Sequence, residues 1–155
     1  MKNIFTNNAS RNRLFIVAIS IVIFIIACFL PCLKTTLDDG PYYGYQILSN
    51  GWIAIFGFVP TWFSNIAYLF VMLYFIRNKL DAAIGASIIM VLLMATIIML
   101  LIPMIHDFET YKLIYIQHVY SGAYLWIISL LLPLFFSILY KIKANKHSSA
   151  AISTD

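Results

Sequence analysis

The chain has 155 residues, of which 63% are hydrophobic and only 10% are charged, and its formal net charge is +4. A soluble domain carries about 25% charged residues, and a chain of this size cannot bury so much apolar surface in one core. The composition therefore excludes an ordinary soluble domain and predicts a single integral membrane domain over residues 1–155.

Four long apolar segments without Asp, Glu, Lys or Arg follow one another along the chain. Each has at least about 20 residues, which is enough for a helix to cross a hydrocarbon core of about 30 Å. None shows the alternating polarity of a membrane β-strand, so we expect an all-α membrane protein. The predicted helices cover 14–33, 52–76, 82–105 and 113–140, and the tail 141–155 is expected to be disordered.

The only cysteines of the chain, Cys28 and Cys32, lie four residues apart at the end of the first predicted helix. One interpretation is a redox pair near the oxidising outer face, although catalytic dithiols usually have the spacing Cys-x-x-Cys. A second is acylation of Cys28, because "IIAC" resembles a lipoprotein signal, although the apolar run continues beyond it. We favour a third, in which both are small apolar residues of a buried helix.

The loop 34–51 is rich in aromatic residues, with Tyr42, Tyr43 and Tyr45 preceding Trp52. Aromatic belts are general at the boundaries of membranes, so we favour a belt over a platform that binds a ligand. Because the loop is also acidic, its three tyrosines are candidate positions for contact with a partner.

Asn65 is the most deeply placed strong hydrogen-bonding side chain of the predicted helices. We favour an interhelical hydrogen bond, worth about 0.6 kcal/mol on average, over contact with a substrate. Asn65 lies beside one of three stripes of small or polar residues that we expect to face inward. The stripes contain Gly57, Thr61, Ser64 and Tyr68 in the second helix, Ala82, Gly85, Ala86 and Thr96 in the third, and His118, Gly122 and Ser129 in the fourth.

The basic residues predict the orientation, because Lys and Arg are enriched on the cytoplasmic side of membranes. Only Lys34 and Lys112 fall on one predicted side, and the other eight of the ten basic residues fall on the opposite side. Short connections place sequential helices side by side, so we expect an antiparallel four-transmembrane-helix bundle with both termini cytoplasmic. We place this multi-pass protein in the cell inner (cytoplasmic) membrane, with loops 34–51 and 106–112 outside.

The ionisable residues near the second outer loop match no known site. The set His106, Asp107, Glu109 and His118 lacks a recognised metal-ligand spacing, and His118 is a candidate polar position only if it is buried in the membrane. No nucleophile motif or phosphate-binding loop is present, so we expect no catalytic, cofactor-binding or metal residues and no cofactor. The basic residues are too sparse to form a nucleic-acid groove.

Four short motifs carry a resemblance that spans most of the chain. They are "FLPCL" at 29–33, "GW.A..G" at 51–57, "W..N" at 62–65 and "YLW..S" at 124–129. The chain is similar in these motifs to a set of small, uncharacterised bacterial four-helix inner-membrane proteins. This resemblance implies a four-helix fold and an inner-membrane location, and it implies no mechanism.

The leading interpretation is a non-catalytic membrane protein that contacts another membrane protein, as an accessory subunit or an immunity-type protector. The alternative is a membrane-embedded enzyme or carrier for a small or lipidic substrate, using Asn65, His118 and the outer loops; a polar cavity open to one face would favour it. A thiol-disulfide oxidoreductase, or a lipoprotein acylated at Cys28, comes third. Lipid and the partner protein are the expected contacts, and no oligomeric state follows from the sequence.

Overall fold

Three helical stretches are long and apolar enough to cross a membrane: Ser10–Phe29, Leu80–Ile98 and Ser121–Lys146. A further apolar helical stretch, Pro60–Ile76, is shorter. The chain is mostly helical, so the predicted all-α membrane class is supported. The computed structural model describes residues 2–36, 40–53, 60–100, 105–106, 113–114 and 116–152.

The chain forms five α-helices and five short strands in the described residues. Pro60–Phe63 and Thr96–Leu100 are 3₁₀ turns, the first leading into one helix and the second extending another. In chain order, the helices and strands are α1 (Lys2–Phe29), β1 (Pro31–Thr35), β2 (Tyr42–Tyr43), α2 (Gly44–Asn50), α3 (Ser64–Ile76), α4 (Leu80–Ala95), β3 (Ile105–His106), β4 (Leu113–Ile114), β5 (Ile116–Val119) and α5 (Ser121–Ile152).

The first helix ends earlier than the predicted boundary at 33. It ends at Phe29 because Pro31 has no backbone N–H to donate and disfavours helical geometry at Leu30. The chain continues as strand β1, so Cys32 lies in a strand and not at the end of a helix. This corrects one part of the favoured interpretation of the cysteine pair.

The other predicted boundaries also need correction. The helix predicted over 113–140 begins only at Ser121, and the preceding residues form strands rich in Ile and Val, which suit extended backbone. His118 therefore lies on strand β5 and not inside a helix. Helix α5 continues to Ile152, where a disordered tail is predicted from 141 onward. In the segments predicted over 52–76 and 82–105, the α-helices are α3 and α4, and residues 54–59 and 101–104 lie outside the described residues.

Three short strands, β1, β2 and β5, form a small sheet at one end of the helices. Strand β1 is its centre and pairs antiparallel with β2 on one side and β5 on the other. Leu33 pairs with both Tyr42 and Val119, and Lys34 pairs with His118. Segments far apart in sequence are thereby brought against the end of α1.

At the opposite end, α1 at Arg13 meets the turn between α3 and α4 and the later part of α5. Arg13 Nη1 donates to Asn78 Oδ1 at 2.9 Å, and the Arg13 guanidinium lies 6.0 Å from the centre of the Tyr140 ring. Lys141 of α5 forms an ion pair with Asp81 of α4. Asn78 has φ +59°, a left-handed conformation that asparagine tolerates, and it reverses the chain between the two helices.

Small residues allow the helices to approach closely, as predicted, but not always at the predicted positions. In α4 the buried residues are Ala83, Ser87 and Met90, whereas Ala82 and Gly85 of the predicted stripe are exposed. The hydroxyl of Ser87 donates to the carbonyl of Ala83 in its own helix at 2.7 Å, so it is buried without a partner on another helix. Gly57, which belongs to the stripe predicted for the second helix, lies outside the described residues.

A buried hydroxyl group links three helices at the middle of the core. Pro133 has no N–H, so the Ser129 carbonyl of α5 lacks its usual helical donor. Ser20 Oγ of α1 donates to that carbonyl at 2.7 Å, and Ser20, Ser129 and Tyr68 are all buried. Since this uses the single hydroxyl proton of Ser20, the 2.5 Å contact with Tyr68 has the tyrosine as donor.

Replacing Ser20 with Ala should lower the free energy of unfolding by about 1–3 kcal/mol, because it leaves a buried carbonyl and a buried phenol without partners. Adding Pro133→Ala should restore part of this loss, since alanine returns an N–H to the Ser129 carbonyl. Reversible unfolding in mixed micelles measures the double-mutant cycle. Tyr124→Phe, at an exposed tyrosine of α5, is the control that should change little. If Pro133→Ala changed the free energy of unfolding equally in the wild-type and Ser20→Ala backgrounds, the hydrogen bond from Ser20 to the Ser129 carbonyl would be contradicted.

Candidate binding cavity

A cavity lies between the end of α1, the small sheet and the helices α2, α3 and α5. Its empty volume is about 760 Å³, part of which opens to solvent. Residues from α1, β1, α2, α3, α5 and both 3₁₀ turns line it, including Phe24, Cys28, Cys32, Trp62, Asn65 and Trp126.

The junction between α1 and β1 forms one wall of this cavity, and two glycines pack directly on it. A Cβ atom at Gly44 would lie 2.4 Å from the carbonyl oxygen of Ala27 and 2.7 Å from Cα of Cys28. A Cβ atom at Gly122 would lie 2.7 Å from the carbonyl oxygen of Pro31 and 2.8 Å from Sγ of Cys32. Only glycine allows α2 and α5 to approach the junction this closely.

Asn65 holds the aromatic wall together. Its Oδ1 accepts a hydrogen bond from Trp126 Nε1 of α5 at 2.9 Å, and its Nδ2 donates to the Trp62 carbonyl at 2.9 Å. The interhelical hydrogen bond favoured from the sequence is therefore present. Trp62 Nε1 in turn donates to the Leu48 carbonyl at 2.7 Å, which joins α2 to the same wall.

The remaining polar groups of the wall are also paired within the protein. Thr61 Oγ1 lies 2.7 Å from Thr96 Oγ1, and Thr96 Oγ1 donates to the Leu93 carbonyl at 2.6 Å. With the indole and amide groups engaged as well, the cavity presents carbon surface, thiol groups and few free hydrogen-bonding atoms. Such a surface suits an apolar occupant and disfavours a charged one.

The two cysteines are free thiols and both line the cavity. Cys32 is buried, and its Sγ lies 3.7 Å from the Ala27 carbonyl oxygen and 3.6 Å from that of Leu30. Burial raises the pKa of the Cys32 thiol to about 11, and negative charge on Cys28 adds to that rise. Because the thiolate is the nucleophile, this environment suppresses thiol chemistry at Cys32 near neutral pH.

The other predicted positions lie away from the cavity lining. Tyr43 and Tyr45 are exposed, with ring centres 6.0 Å apart, and Tyr42 is half-buried in β2. His118 is exposed on β5, and its ring centre lies 5.2 Å from that of Tyr120. The structure thus separates His118 from Asn65, with which the alternative interpretation had grouped it.

No group of three metal-ligating side chains occurs in the part of the chain that the structure describes. Asp107 and Glu109 of the second outer loop lie outside those residues, and the loop itself, predicted over 106–112, is described only at His106. The described residues therefore supply no set of ligands at the outer end.

Sequence reasoning did not identify the two tryptophans as part of the site. The signal was present in the short motifs, because "W..N" contains Trp62 and Asn65, and "YLW..S" contains Trp126. These three residues are joined by hydrogen bonds in the cavity wall, and Cys32 of "FLPCL" lines the same cavity. Three of the four motifs behind the resemblance therefore meet at one place in the fold.

No protein-family model matches the chain, and no match was found among curated proteins or solved structures. The function of the cavity is accordingly inferred from the residues of this chain alone.

Replacing Asn65 with Leu should lower the free energy of unfolding by about 0.6–1.7 kcal/mol, since the interhelical hydrogen bond to Trp126 and the local one to the Trp62 carbonyl are both lost. Trp126→Phe removes only the indole donor and should have a smaller effect. In the double variant the two losses should be less than additive, because they share one hydrogen bond. Additive losses in reversible unfolding would show that the bond does not contribute to stability.

Alkylation of Cys32 in a Cys28→Ser variant should still accelerate with pH above the ordinary thiol pKa of about 8.5, because only the thiolate reacts and burial alone raises the pKa of Cys32. Iodoacetamide labelling followed by mass spectrometry measures the rate. The same variant denatured in detergent is the control, and its rate should level off near the ordinary thiol pKa of about 8.5. A rate that levels off at that same pH in the folded protein would contradict the burial of Cys32.

Proposed function

We propose that the chain is a multi-pass protein of the cell inner membrane, in which α1, α3, α4 and α5 form an antiparallel four-helix bundle with both termini cytoplasmic. Its support is that the pairs Arg13–Asn78 and Lys141–Asp81 lie at one end of the helices, and that strands β1, β2 and β5 pair at the other. The stretch Pro60–Ile76 is about 25 Å long as a helix, which suits a slightly thinned membrane.

We further propose that the protein binds the hydrocarbon part of a lipid-like molecule in the cavity beside the sheet. The observation that carries this proposal is a cavity, open on one side, whose polar wall groups are already paired within the protein. A mostly apolar lining of this kind is typical of sites that bind small apolar molecules. The enzyme or carrier considered from the sequence was expected to have a polar cavity, and this cavity is apolar. Of the substrates considered there, the lipidic one fits the lining better than a small polar one.

Binding, and not catalysis, is the activity that this geometry supports. The cavity wall brings together two tryptophans, an amide engaged at both ends and a thiol with a raised pKa. These groups can orient and shield an apolar chain, but they supply no activated nucleophile or general base in the described lining. We therefore propose a carrier or a lipid-binding subunit.

Contact with another membrane protein remains a second candidate. Tyr43 and Tyr45 form a stacked, exposed pair beside the outer sheet, and Trp52 is 47% exposed. Aromatic residues of this kind anchor protein interfaces as well as membrane boundaries. The two candidates are compatible, because the tyrosine pair lies outside the cavity lining.

A brominated fatty alcohol should quench the fluorescence of Trp62 and Trp126 saturably in a Trp52→Phe variant, which retains only these two of the three tryptophans. Adding Ala123→Phe should fill the cavity and weaken the saturable quenching about tenfold or more, since it displaces several methylene groups. Ala18→Phe, at an exposed site on α1, is the matched control and should leave it unchanged. Quenching that never saturates, or that is identical in both variants, would overturn the proposal.

A further inference from the structure

The end of the bundle opposite the sheet carries an uncompensated positive charge. The membrane-crossing stretches begin or end here at Ser10, Leu80 and Lys146, so this end lies at the level of lipid headgroups. In the residues that the structure describes, Lys141 and Asp81 form the one ion pair. The nearby cations Arg11, Arg77 and Lys79 are exposed on the same end.

Arg13 differs from these exposed cations because it is half-buried among neutral partners. Its Nη1 donates to the Asn78 amide oxygen at 2.9 Å, and its guanidinium lies 6.0 Å from the centre of the Tyr140 ring. Its Nε is buried and has no hydrogen-bond acceptor among the described residues. Asn78 and Tyr140 orient the guanidinium, but neither of them carries a negative charge.

The buried Nε is out of reach of an external ligand, but the Nη side of the guanidinium is exposed. A half-buried guanidinium with no carboxylate partner favours an external anion at these accessible N–H groups. At the headgroup level that anion is a phosphate, whose oxygens match the planar fork of arginine. The surrounding cations also favour a lipid of net negative charge over a zwitterionic one. The carboxylate of Asp81 is paired with Lys141, so it does not offset the preference of this end for an anionic lipid.

We propose that Arg13, held by Asn78 and Tyr140, binds the phosphate of an anionic phospholipid at this end of the bundle. The site is independent of the cavity beside the sheet and of any occupant bound there. The lipid bound at this site would act as a structural ligand that ties α1, at Arg13, to the turn between α3 and α4.

Native mass spectrometry of the full chain in mild detergent tests the proposal with short-chain phosphatidylglycerol and phosphatidylcholine as probes. The wild type should retain phosphatidylglycerol with about fivefold higher affinity than phosphatidylcholine, the contribution of one basic residue near the surface. Arg13→Gln should remove most of this preference, because Arg13 is the residue that holds the phosphate, whereas Arg11→Gln, which removes only one of the surrounding exposed cations, should reduce it less. Equal affinity for both lipids in the wild type, or an unchanged preference in Arg13→Gln, would overturn the proposal.

A second variant covers the case in which Arg13→Gln does not fold. Asn78→Gly removes the amide that holds the guanidinium, and glycine accepts the left-handed backbone at this position. Its preference for phosphatidylglycerol should also fall, and an unchanged preference would count against the site. Inorganic phosphate is the third probe, and displacement of the lipid by millimolar phosphate would identify a free-phosphate site and overturn the lipid assignment.

Discussion

The hydrogen bond from Ser20 to the Ser129 carbonyl is the interaction on which the arrangement of the helices depends. In hydrocarbon, a carbonyl that a proline has deprived of its donor must find another partner within the protein. Ser20 supplies that partner from α1, and Tyr68 donates to Ser20 from α3. A local defect in α5 thereby becomes a specific contact among three helices.

This contact also places the wall of the cavity. Phe24 and Ala27 follow Ser20 on the same face of α1 at helical spacing, and the Phe24 ring stacks on Tyr68 with ring centres 5.7 Å apart. Both α1 residues line the cavity, opposite the aromatic wall that Asn65 joins. The other wall of the cavity forms because α1 stops before Pro31, and the glycines of α2 and α5 pack on that junction. The buried hydroxyl contact among the helices and the small sheet therefore both shape the same site.

The sequence predicted the membrane class because length and the absence of charge in a segment are local properties. Asn65 was recognised for the same reason, since an amide in an apolar helix needs a partner wherever the helix lies. The strands at Cys32 and His118 were missed because a short apolar run has no period that distinguishes a strand from a buried helix. The packed face of α4 was displaced by one residue, from Ala82 to Ala83, because small residues occur on both of its faces. The cavity could not be predicted, because it is built from seven separate elements and from glycines whose close contacts exist only in the folded chain.

The most direct test of the lipid-binding claim is photo-crosslinking in native membranes with a fatty-acid analogue that carries a diazirine on its chain. Peptide mapping should find the label at residues 61–65 and 123–126 of the cavity wall, at a probe concentration that leaves the exposed apolar positions Leu69 and Leu92 weakly labelled. Unlabelled lipid in excess should remove the cavity label first. Labelling confined to Leu69, Leu92 and the other outward-facing side chains would contradict the account, because the hydrocarbon would then touch the protein only as bulk solvent.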